Sequence, residues 1–316
     1  MRKNLFFISL LTTTLFFASC GSNESITDTG ENGGGNGSGT DIANVNKNTI
    51  STGQPKEITR LEFPKVKGGT SEVIVHSTPA YGMTYALEWD HTLRSQRWSC
   101  FEIYKSNNVK NWSRSGWKQT SWGGDPFQKD PSVPSSEQPN VTGEFSGSYY
   151  KGIGSFYERG HICASEDRVY SKDANEQTFY MTNMQPQVGN LNEKIWSDME
   201  AKVRDWASNA DTLYVCKGGT IDSDDKIIDQ TKSGFIVPRY FFMAVLAKNS
   251  MGYKAMGFWI EHLDVDQRSK GIGSFVVNID DLEQKTGIDF FCNLPDDVEN
   301  QVESLSVDKV KIAWGF

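Results

Sequence analysis

The sequence predicts an α+β fold built around a mixed or antiparallel sheet. Three observations lead to this fold class. Strand-like runs of β-branched and aromatic residues outnumber the helical patterns. The two kinds of element do not alternate strictly along the chain, which is against a doubly wound parallel sheet. From about residue 61 to residue 316 the composition is that of a globular domain.

The predicted strands are residues 73–76, 98–104, 178–182, 212–216, 240–247, 255–260 and 274–279. The predicted helices are residues 191–207, 279–286 and 296–304. Asp280, Asp281 and Glu283 support the second of these helices, because carboxylates are favourable in the first turn of a helix.

The composition excludes several classes of protein. The chain has 316 residues, of which 37% are hydrophobic, and a formal net charge of −8. Its 18 Phe, 11 Tyr and 9 Trp exclude a fully disordered chain. No apolar run reaches the roughly 18 residues of a spanning helix. The acidic balance is against a histone-like or polybasic coat protein, although a local basic groove is compatible with it.

The first residues have the pattern of an export signal. Arg2 and Lys3 precede an apolar stretch, residues 5–18, which is too short to span a bilayer. Ala18 and Ser19 stand directly before Cys20, and this arrangement resembles the lipobox of bacterial lipoproteins, in which the cysteine is diacylated. The alternative is an ordinary signal peptide with a coincidental cysteine. Removal of Arg2 and Lys3 would lower the net charge from −8 to −10.

The segment after Cys20 is rich in Gly, Ser, Asn, Thr and Asp and includes three consecutive glycines at 33–35. Such a stretch cannot bury apolar area and behaves as a flexible tether. We therefore divide the chain into a lipoprotein signal peptide (1–19), a lipidated linker (20–60) and a folded domain (61–316). The expected location is the surface of a bacterial membrane, periplasmic or external.

Four cysteines remain after Cys20: Cys100, Cys163, Cys216 and Cys292. An exported chain meets an oxidising compartment, so zero, one or two disulfides are compatible with the sequence, and the pairing stays open. The wide spacing contains no CxxC pair and does not indicate a zinc site.

The helix after Gly189 has the clearest pattern of the chain. Asn190 is predicted to cap it, and Glu193 completes a capping box. Its apolar stripe consists of Trp196, Met199, Val203 and Trp206.

Two polar residues of this helix lie on or near the apolar stripe. At 100° per residue, Asn192 projects from the buried face and Glu200 lies at its edge. An inward Asn needs hydrogen-bond partners. Asn192 is therefore a structural residue or a ligand.

His161 has the most informative surroundings of the four histidines, because residues 157–162 read YERGHI. If this stretch is extended, Arg159 and His161 point to one side and Glu158 to the other. Gly160 leaves room for another group to approach closely. A titratable base beside a cation suits phosphodiester hydrolysis. Taken alone, however, such a triplet is more often without function.

A second group of motifs changes this interpretation. Residues 180–187 read YMTNMQPQ, and residues 190–196 read NLNEKIW. Together with the Arg-Gly-His triplet, they resemble the DNA/RNA non-specific endonucleases of the ββα-metal fold. Val237-Pro238 and residues 286–295, TGIDFFCNLP, extend the resemblance over about residues 70–305.

The resemblance implies a role for each matching residue. His161 matches the general base that activates the attacking water, and Asn192 matches the sole protein ligand of the catalytic metal. Mg²⁺ suits such a site because it keeps several waters, and Mn²⁺ or Ca²⁺ are alternatives. The ion would stabilise charge on the leaving 3′ oxygen and relieve strain in the scissile phosphate. Arg159 matches an arginine near that phosphate.

Two further matches have plain structural alternatives. Asn183 matches an asparagine that helps to shape the site, and its alternative is a turn-forming residue before Pro186. Glu200 matches a carboxylate that holds metal-bound water, and its alternative is a solvated helix residue.

The chain departs from the family pattern at two places. Glu158 stands where the family has Asp, and the strand argument puts it on the side away from the phosphate, in a supporting role. Residues 127–131, FQKDP, fit a family stretch, but the preceding residues carry no arginine, and Arg114 is not securely aligned.

The implied substrates are DNA and RNA, with little sequence preference and products that carry 5′ phosphates. A net charge of −10 is unfavourable for binding a polyanion. The window 92–123, however, has six cationic side chains and only one acidic side chain, that of Glu102. The cations are interleaved with aromatic residues, which suit the binding of single strands because bases stack on them. The cations are Arg94, Arg97, Lys105, Lys110, Arg114 and Lys118. The alternative is that residues 98–104 form a core strand and the rest a solvated loop.

Two other functions are compatible with the sequence. One is a lipid-anchored module that captures nucleic acid without cutting it, and the other is a phosphodiesterase for small substrates. The combination of His161, Arg159 and Asn192 is against a pure binder, which needs none of them together. Metal-dependent turnover of polymers discriminates among the three.

Overall fold

The computed structural model describes residues 43–113, 125–145 and 156–316. Its centre is a seven-stranded antiparallel sheet, which confirms the predicted α+β class. In spatial order its strands are β1 (Ser71–Thr78), β2 (Gly82–Asp90), β3 (Ser95–Tyr104), β6 (Thr212–Gly219), β9 (Tyr240–Asn249), β10 (Gly252–Glu261) and β11 (Val276–Val277).

Two small hairpins and five α-helices complete the fold. The hairpins pair β4 (Glu158–His161) with β5 (Met184–Gln187) and β7 (Ile227–Gln230) with β8 (Ile236–Pro238). A π-helical segment, Leu191–Trp196, runs directly into α2. The α-helices are α1 (Lys172–Gln177), α2 (Ser197–Ala207), α3 (Ile279–Thr286), α4 (Asp296–Glu303) and α5 (Val307–Trp314).

The central sheet is buried on both faces. In β6, Leu213 and Val215 belong to one apolar cluster, and Tyr214 and Cys216 belong to another. This division follows from the two-residue period of a strand. The first cluster contains residues of the β4–β5 hairpin and α2, and the second contains residues of α3 and α4. The two groups of elements therefore cover opposite faces of the sheet.

One predicted strand is wrong in type, and another is too long. Residues 178–182 form a turn and the start of a short 3₁₀ helix, and residues 274–279 contain only the two-residue strand β11 before α3 begins. β2 was missed, as were the short strands of both hairpins, α1 and α5. Helices α3 and α4 confirm the predictions for residues 279–286 and 296–304.

The folded domain begins before residue 61. Ile58 is buried in the core, and the buried Asn48 side chain donates to the carbonyl oxygens of Ile58 and Pro64. The predicted linker boundary at 60 is therefore wrong for residues 43–60, because this segment packs on the domain. Cys20 lies outside the described residues.

The four later cysteines are buried free thiols, so none of the compatible disulfides forms. Within the described part of the chain, no helix is long and apolar enough to cross a membrane.

Candidate active site

The candidate site is built on the β4–β5 hairpin and the helix that follows it. In this hairpin Glu158 pairs with Gln187, and His161 pairs with Met184. A Cβ at Gly160 would lie 2.3 Å from the buried Gln187 side chain, so glycine leaves the space that this side chain occupies. This order of two short strands and a helix is the ββα arrangement that the resemblance of the motifs implies.

Arg159 and His161 share one side of β4, as the sequence predicts. Both contact Phe127: the Arg159 guanidinium carbon lies 3.5 Å from the centroid of its ring, and the His161 ring lies 5.5 Å from it. Phe179 packs edge-to-face on His161, with 4.9 Å between centroids. These two phenylalanines limit the orientations of the imidazole.

The Arg159 guanidinium has a defined position. Its Nη1 donates to Asp125 Oδ2 at 2.8 Å and to the Val141 carbonyl at 2.8 Å. The side chain is about one-quarter exposed, so part of it is open to solvent. The sequence did not identify the partners Asp125 and Phe127 as site residues. Phe127 is the first residue of the FQKDP stretch noted in the sequence, and Asp125 stands two residues before it.

Asn192 and Glu158 are in direct contact. Asn192 Nδ2 donates to Glu158 Oε2 at 2.7 Å, and burial raises the pKa of the Glu158 carboxyl. The sequence places Glu158 on the side of the strand away from the phosphate, in a supporting role. The structure adds that the helical segment after β5 brings Asn192 beside this carboxylate. A side chain at Gly189 would lie 2.9 Å from Glu158 Oε1, so glycine leaves space for this carboxylate.

The Asn192 side chain fits a hard divalent cation. Its amide nitrogen is engaged by Glu158, and none of the described residues donates a hydrogen bond to its Oδ1. Neutral amide and carboxylate oxygens are ligands that Mg²⁺ accepts. Glu158, Arg159 and His161 all belong to β4, whose four residues span about 10 Å at the rise of an extended strand. The Asn192–Glu158 pair therefore lies near Arg159 and His161.

The helix that carries Asn192 begins differently from the prediction. The Asn190 side chain makes no capping hydrogen bond; its Nδ2 donates to Asp264 Oδ1 at 2.9 Å, and its Oδ1 accepts from Lys194. The predicted capping box is therefore wrong. Residues 191–196 form a π-helix, a rare geometry that often occurs at functional sites.

His262 holds the segment that leads into this helix, a role that the sequence did not indicate. Its Nε2 accepts from the Val188 N–H at 2.9 Å, and its Nδ1 donates to the Pro238 carbonyl at 2.8 Å. These partners require the neutral ring with its proton on Nδ1. Burial lowers the pKa of His262 to about 4, which keeps the ring neutral near pH 7.

Asn183 makes only structural contacts in the described part of the chain, and its role in shaping the site stays a prediction. The side chain is fully buried, and its Nδ2 donates to the carbonyls of Cys163 and Thr178 at 2.9 and 2.8 Å. Its Oδ1 accepts from the Cys163 N–H, and its own carbonyl accepts from Ile162. These bonds fix the chain directly after His161 and leave Asn183 no access to substrate.

Glu200 forms an ion pair with the buried Lys217 of β6, whose Nζ lies 4.9 Å from the centroid of the Trp196 ring. Burial raises the pKa of Glu200, and Lys217 opposes this shift. The alternative of a solvated helix residue is therefore wrong. The role of Glu200 in holding metal-bound water stays a prediction, because its described contact is with Lys217 and not with Asn192 or Glu158.

The predicted basic and aromatic window is divided between core and surface: residues 95–104 form the mostly buried β3, whereas Lys105 and Lys110 after it are exposed. Trp98 and Phe101 are buried, as the core-strand alternative requires. Arg97 is buried and paired with Asp90 and Asp222. Arg94 donates to the Ser233 carbonyl at 2.8 Å. Arg114 and Lys118 lie outside the described residues.

Comparison with known families decides the identity of this arrangement. The family model described as DNA/RNA non-specific endonuclease matches residues 70–297. The chain belongs to this family. It is therefore an endonuclease, a phosphodiester hydrolase of a family that generally uses a divalent cation. The ββα motif and the residues quoted from it lie inside the matched range.

Several relatives of this endonuclease are known. A nuclease of Nostoc sp. is 28% identical over 232 residues, which cover 70% of this chain and 75% of that protein. Mitochondrial endonuclease G of Bos taurus is 24% identical, covering 72% of this chain and 75% of its own length. The crystal structure of the EndoG/EndoGI complex matches with a TM-score of 0.58 at 22% identity, over 78% of this chain and 94% of that one, and this likeness shows the shared fold.

Proposed function

We propose that this endonuclease is magnesium-dependent and cuts DNA and RNA with little preference for sequence or sugar, using His161 as general base and Asn192 as metal ligand. The observation that carries the proposal is the contact of Asn192 with Glu158, because Glu158 lies on the same short strand as Arg159 and His161. This strand thus carries the base His161 and the cationic side chain of Arg159, and through Glu158 it contacts the metal ligand Asn192.

His161 acts on the attacking water. An imidazole nitrogen takes one proton from the water, whose oxygen forms the new bond to phosphorus while the bond to the 3′ oxygen breaks. The leaving 3′ oxygen takes a proton from solvent water, so the products are a 5′ phosphate and a 3′ hydroxyl, and the imidazolium releases its proton to solvent before the next turnover. Because water is the nucleophile, a 2′ hydroxyl is not needed, and this supports action on both DNA and RNA.

Arg159 binds the scissile phosphate. Its guanidinium is oriented by Asp125, Val141 and the Phe127 ring, so it needs little reorganisation when charge develops on the phosphate oxygens. Asp125 compensates part of its charge in the absence of substrate. When substrate binds, the scissile phosphate becomes the second anionic partner of the Arg159 guanidinium, which is already in position.

Asn192 would hold the divalent cation through Oδ1, and Glu158 orients the amide by accepting from Nδ2. When bound, the ion supplies positive charge that stabilises the leaving 3′ oxygen. Glu158 is a positioning residue in this scheme, and its longer side chain compared with Asp still reaches the amide.

The test uses the chain from Gly21 onward with supercoiled plasmid and total RNA as separate substrates. Both polymers are expected to be cut with Mg²⁺, and cleavage is expected to stop with excess EDTA and to return when Mg²⁺ is added back. A folded preparation that binds either polymer in a gel shift but cuts neither with Mg²⁺, Mn²⁺ or Ca²⁺ would show a binding module instead.

We also propose that the enzyme is attached to a bacterial membrane through lipid on Cys20. The support is the apolar stretch 5–18 followed by small residues and cysteine. Two acyl chains on one cysteine are sufficient for stable anchoring. In cells grown with labelled palmitate, the wild-type chain should carry label and sediment with membranes, and Cys20→Ser should lose both properties. Label on Cys20→Ser would contradict the anchor.

A further inference from the structure

A cluster of carboxylates lies between α3 and α4, on the face of the sheet opposite the candidate active site. Ile279 and Leu282 of α3 and Val302 of α4 belong to one apolar cluster, whereas Ile162 and Leu191 of the active-site motif belong to the other. The β-sheet therefore separates these carboxylates from His161 and Asn192. The cluster is not part of the nuclease chemistry described above.

Three side chains converge in this cluster. Asp280 and Glu283 come from α3, and Glu303 comes from the last turn of α4. One carboxylate oxygen of each lies within 4.8 Å of the others. Asp280 is exposed, Glu283 is half-buried and Glu303 is buried, so the cluster runs from the surface inward.

Glu303 provides a second and independent observation. Only 5% of its surface is exposed, and its Oε1 is buried without a hydrogen-bond partner among the described residues. Other buried carboxylates of this chain have a cationic partner, such as Glu200 with Lys217, or accept several hydrogen bonds, as Glu88 does from the Trp98 indole and two backbone N–H groups. A buried carboxylate without such compensation is costly, because its charge has lost the stabilisation of water.

The electrostatic surroundings increase this cost. Burial, together with nearby carboxylates, raises the pKa of Glu283 to about 8 and that of Glu303 to about 10. Asp289 and Glu299 contribute to both shifts, and the Asn46 amide joins these two by donating to Glu299 Oε1 at 2.9 Å and to Asp289. The site therefore requires either protons or a cation at neutral pH.

We propose that Asp280, Glu283 and Glu303 bind one Ca²⁺ ion that stabilises the packing of α3 against α4. Calcium takes oxygen ligands at about 2.3–2.6 Å in flexible geometry, so one ion can bridge oxygens up to about 5 Å apart. Magnesium holds its ligands at about 2.0–2.1 Å and demands near-octahedral geometry, which fits a three-carboxylate cluster of this span less well. The cluster has no imidazole or thiolate that would favour zinc.

The test measures thermal unfolding of the chain from Gly21 onward with Asn192→Ala, because this background lacks the proposed ligand of the nuclease site. About 5 mM Ca²⁺, which should occupy most of even a site of roughly millimolar affinity, is compared with EDTA. The unfolding midpoint should rise by several degrees with Ca²⁺, since a ligand that binds only the folded state stabilises it. Calorimetric titration with CaCl₂ should give one ion per chain.

Matched variants in the same background locate the effect. Glu303→Gln, which preserves side-chain size, should abolish the calcium-dependent shift, and Glu283→Gln serves the same purpose if Glu303→Gln does not fold. Asp281→Asn removes the same charge from an exposed position of α3 and should leave the shift intact. No calcium shift in the Asn192→Ala chain, or an equal shift in Glu303→Gln, would overturn the proposal while leaving the nuclease assignment untouched.

Discussion

Replacement of His161 by alanine is expected to lower the rate of plasmid and RNA cleavage about 10³-fold, within the range that general-base catalysis contributes. The water then loses its proton acceptor, whereas Arg159 keeps its contacts with Asp125, Val141 and Phe127. The unfolding midpoint should change by only a few degrees. Initial rates under saturating Mg²⁺ and the midpoint by calorimetry provide the two measurements.

The control for this variant is His91→Ala. His91 is a half-buried histidine whose nitrogens lie 2.7 Å from Glu137 and 3.2 Å from Glu72, and both of these partners lie outside β4. It should retain full activity. Alanine at 161 also leaves space between Phe127 and Phe179, so added imidazole should restore part of the rate. Activity of His161→Ala within tenfold of wild type would exclude His161 as the base.

Replacement of Asn192 by alanine is expected to change the metal dependence as well as the rate. The Mg²⁺ concentration for half-maximal activity should rise at least about tenfold, because loss of a supporting ligand typically costs 10- to 100-fold in metal affinity. The maximal rate should fall by about 10²-fold or more, since charge on the 3′ oxygen is then poorly stabilised. A Mg²⁺ titration of the initial rate measures both effects.

Asn190→Ala is the matched control on the same helix. It deletes the same amide, but Asn190 contacts Asp264 and Lys194 rather than Glu158. Its Mg²⁺ dependence should follow that of the wild type. If the two variants have the same titration curve, Asn192 does not bind the ion, and the ligand must be sought among the other oxygens near β4.

The sequence predicts the relative positions of those site residues that are close together in the chain. Arg159 and His161 are two apart on a strand, so strand geometry alone puts them on one side, and their common contact with Phe127 confirms this. The family motifs located Asn192. The contact of Asn192 with Glu158 joins residues 34 positions apart, and a pattern local to either residue does not contain it.

Other features could not be predicted because tertiary contacts override local preferences. Asn190 has the sequence of a cap, but Asp264 and Lys194 attract its side chain. Asp280 lies in the first turn of α3 and Glu283 in the next, and only the approach of α4 adds Glu303 to them. His262 has no motif around it, and its contact with Val188 appears only when β10 is placed against the active-site segment.

The position of the catalytic motif in the sheet order has a consequence for how this enzyme can vary. Tyr104 at the end of β3 is the register partner of Thr212 at the start of β6. The chain thus leaves the sheet after β3 and re-enters it at the neighbouring strand β6. The elements β4, β5 and α2 all lie in this one connection between β3 and β6. Loop closure depends only weakly on loop length, so a connection of roughly 100 residues can be lengthened or shortened at little further entropic cost. Insertions there would change the surroundings of His161 and Asn192 while every pairing of the central sheet is retained.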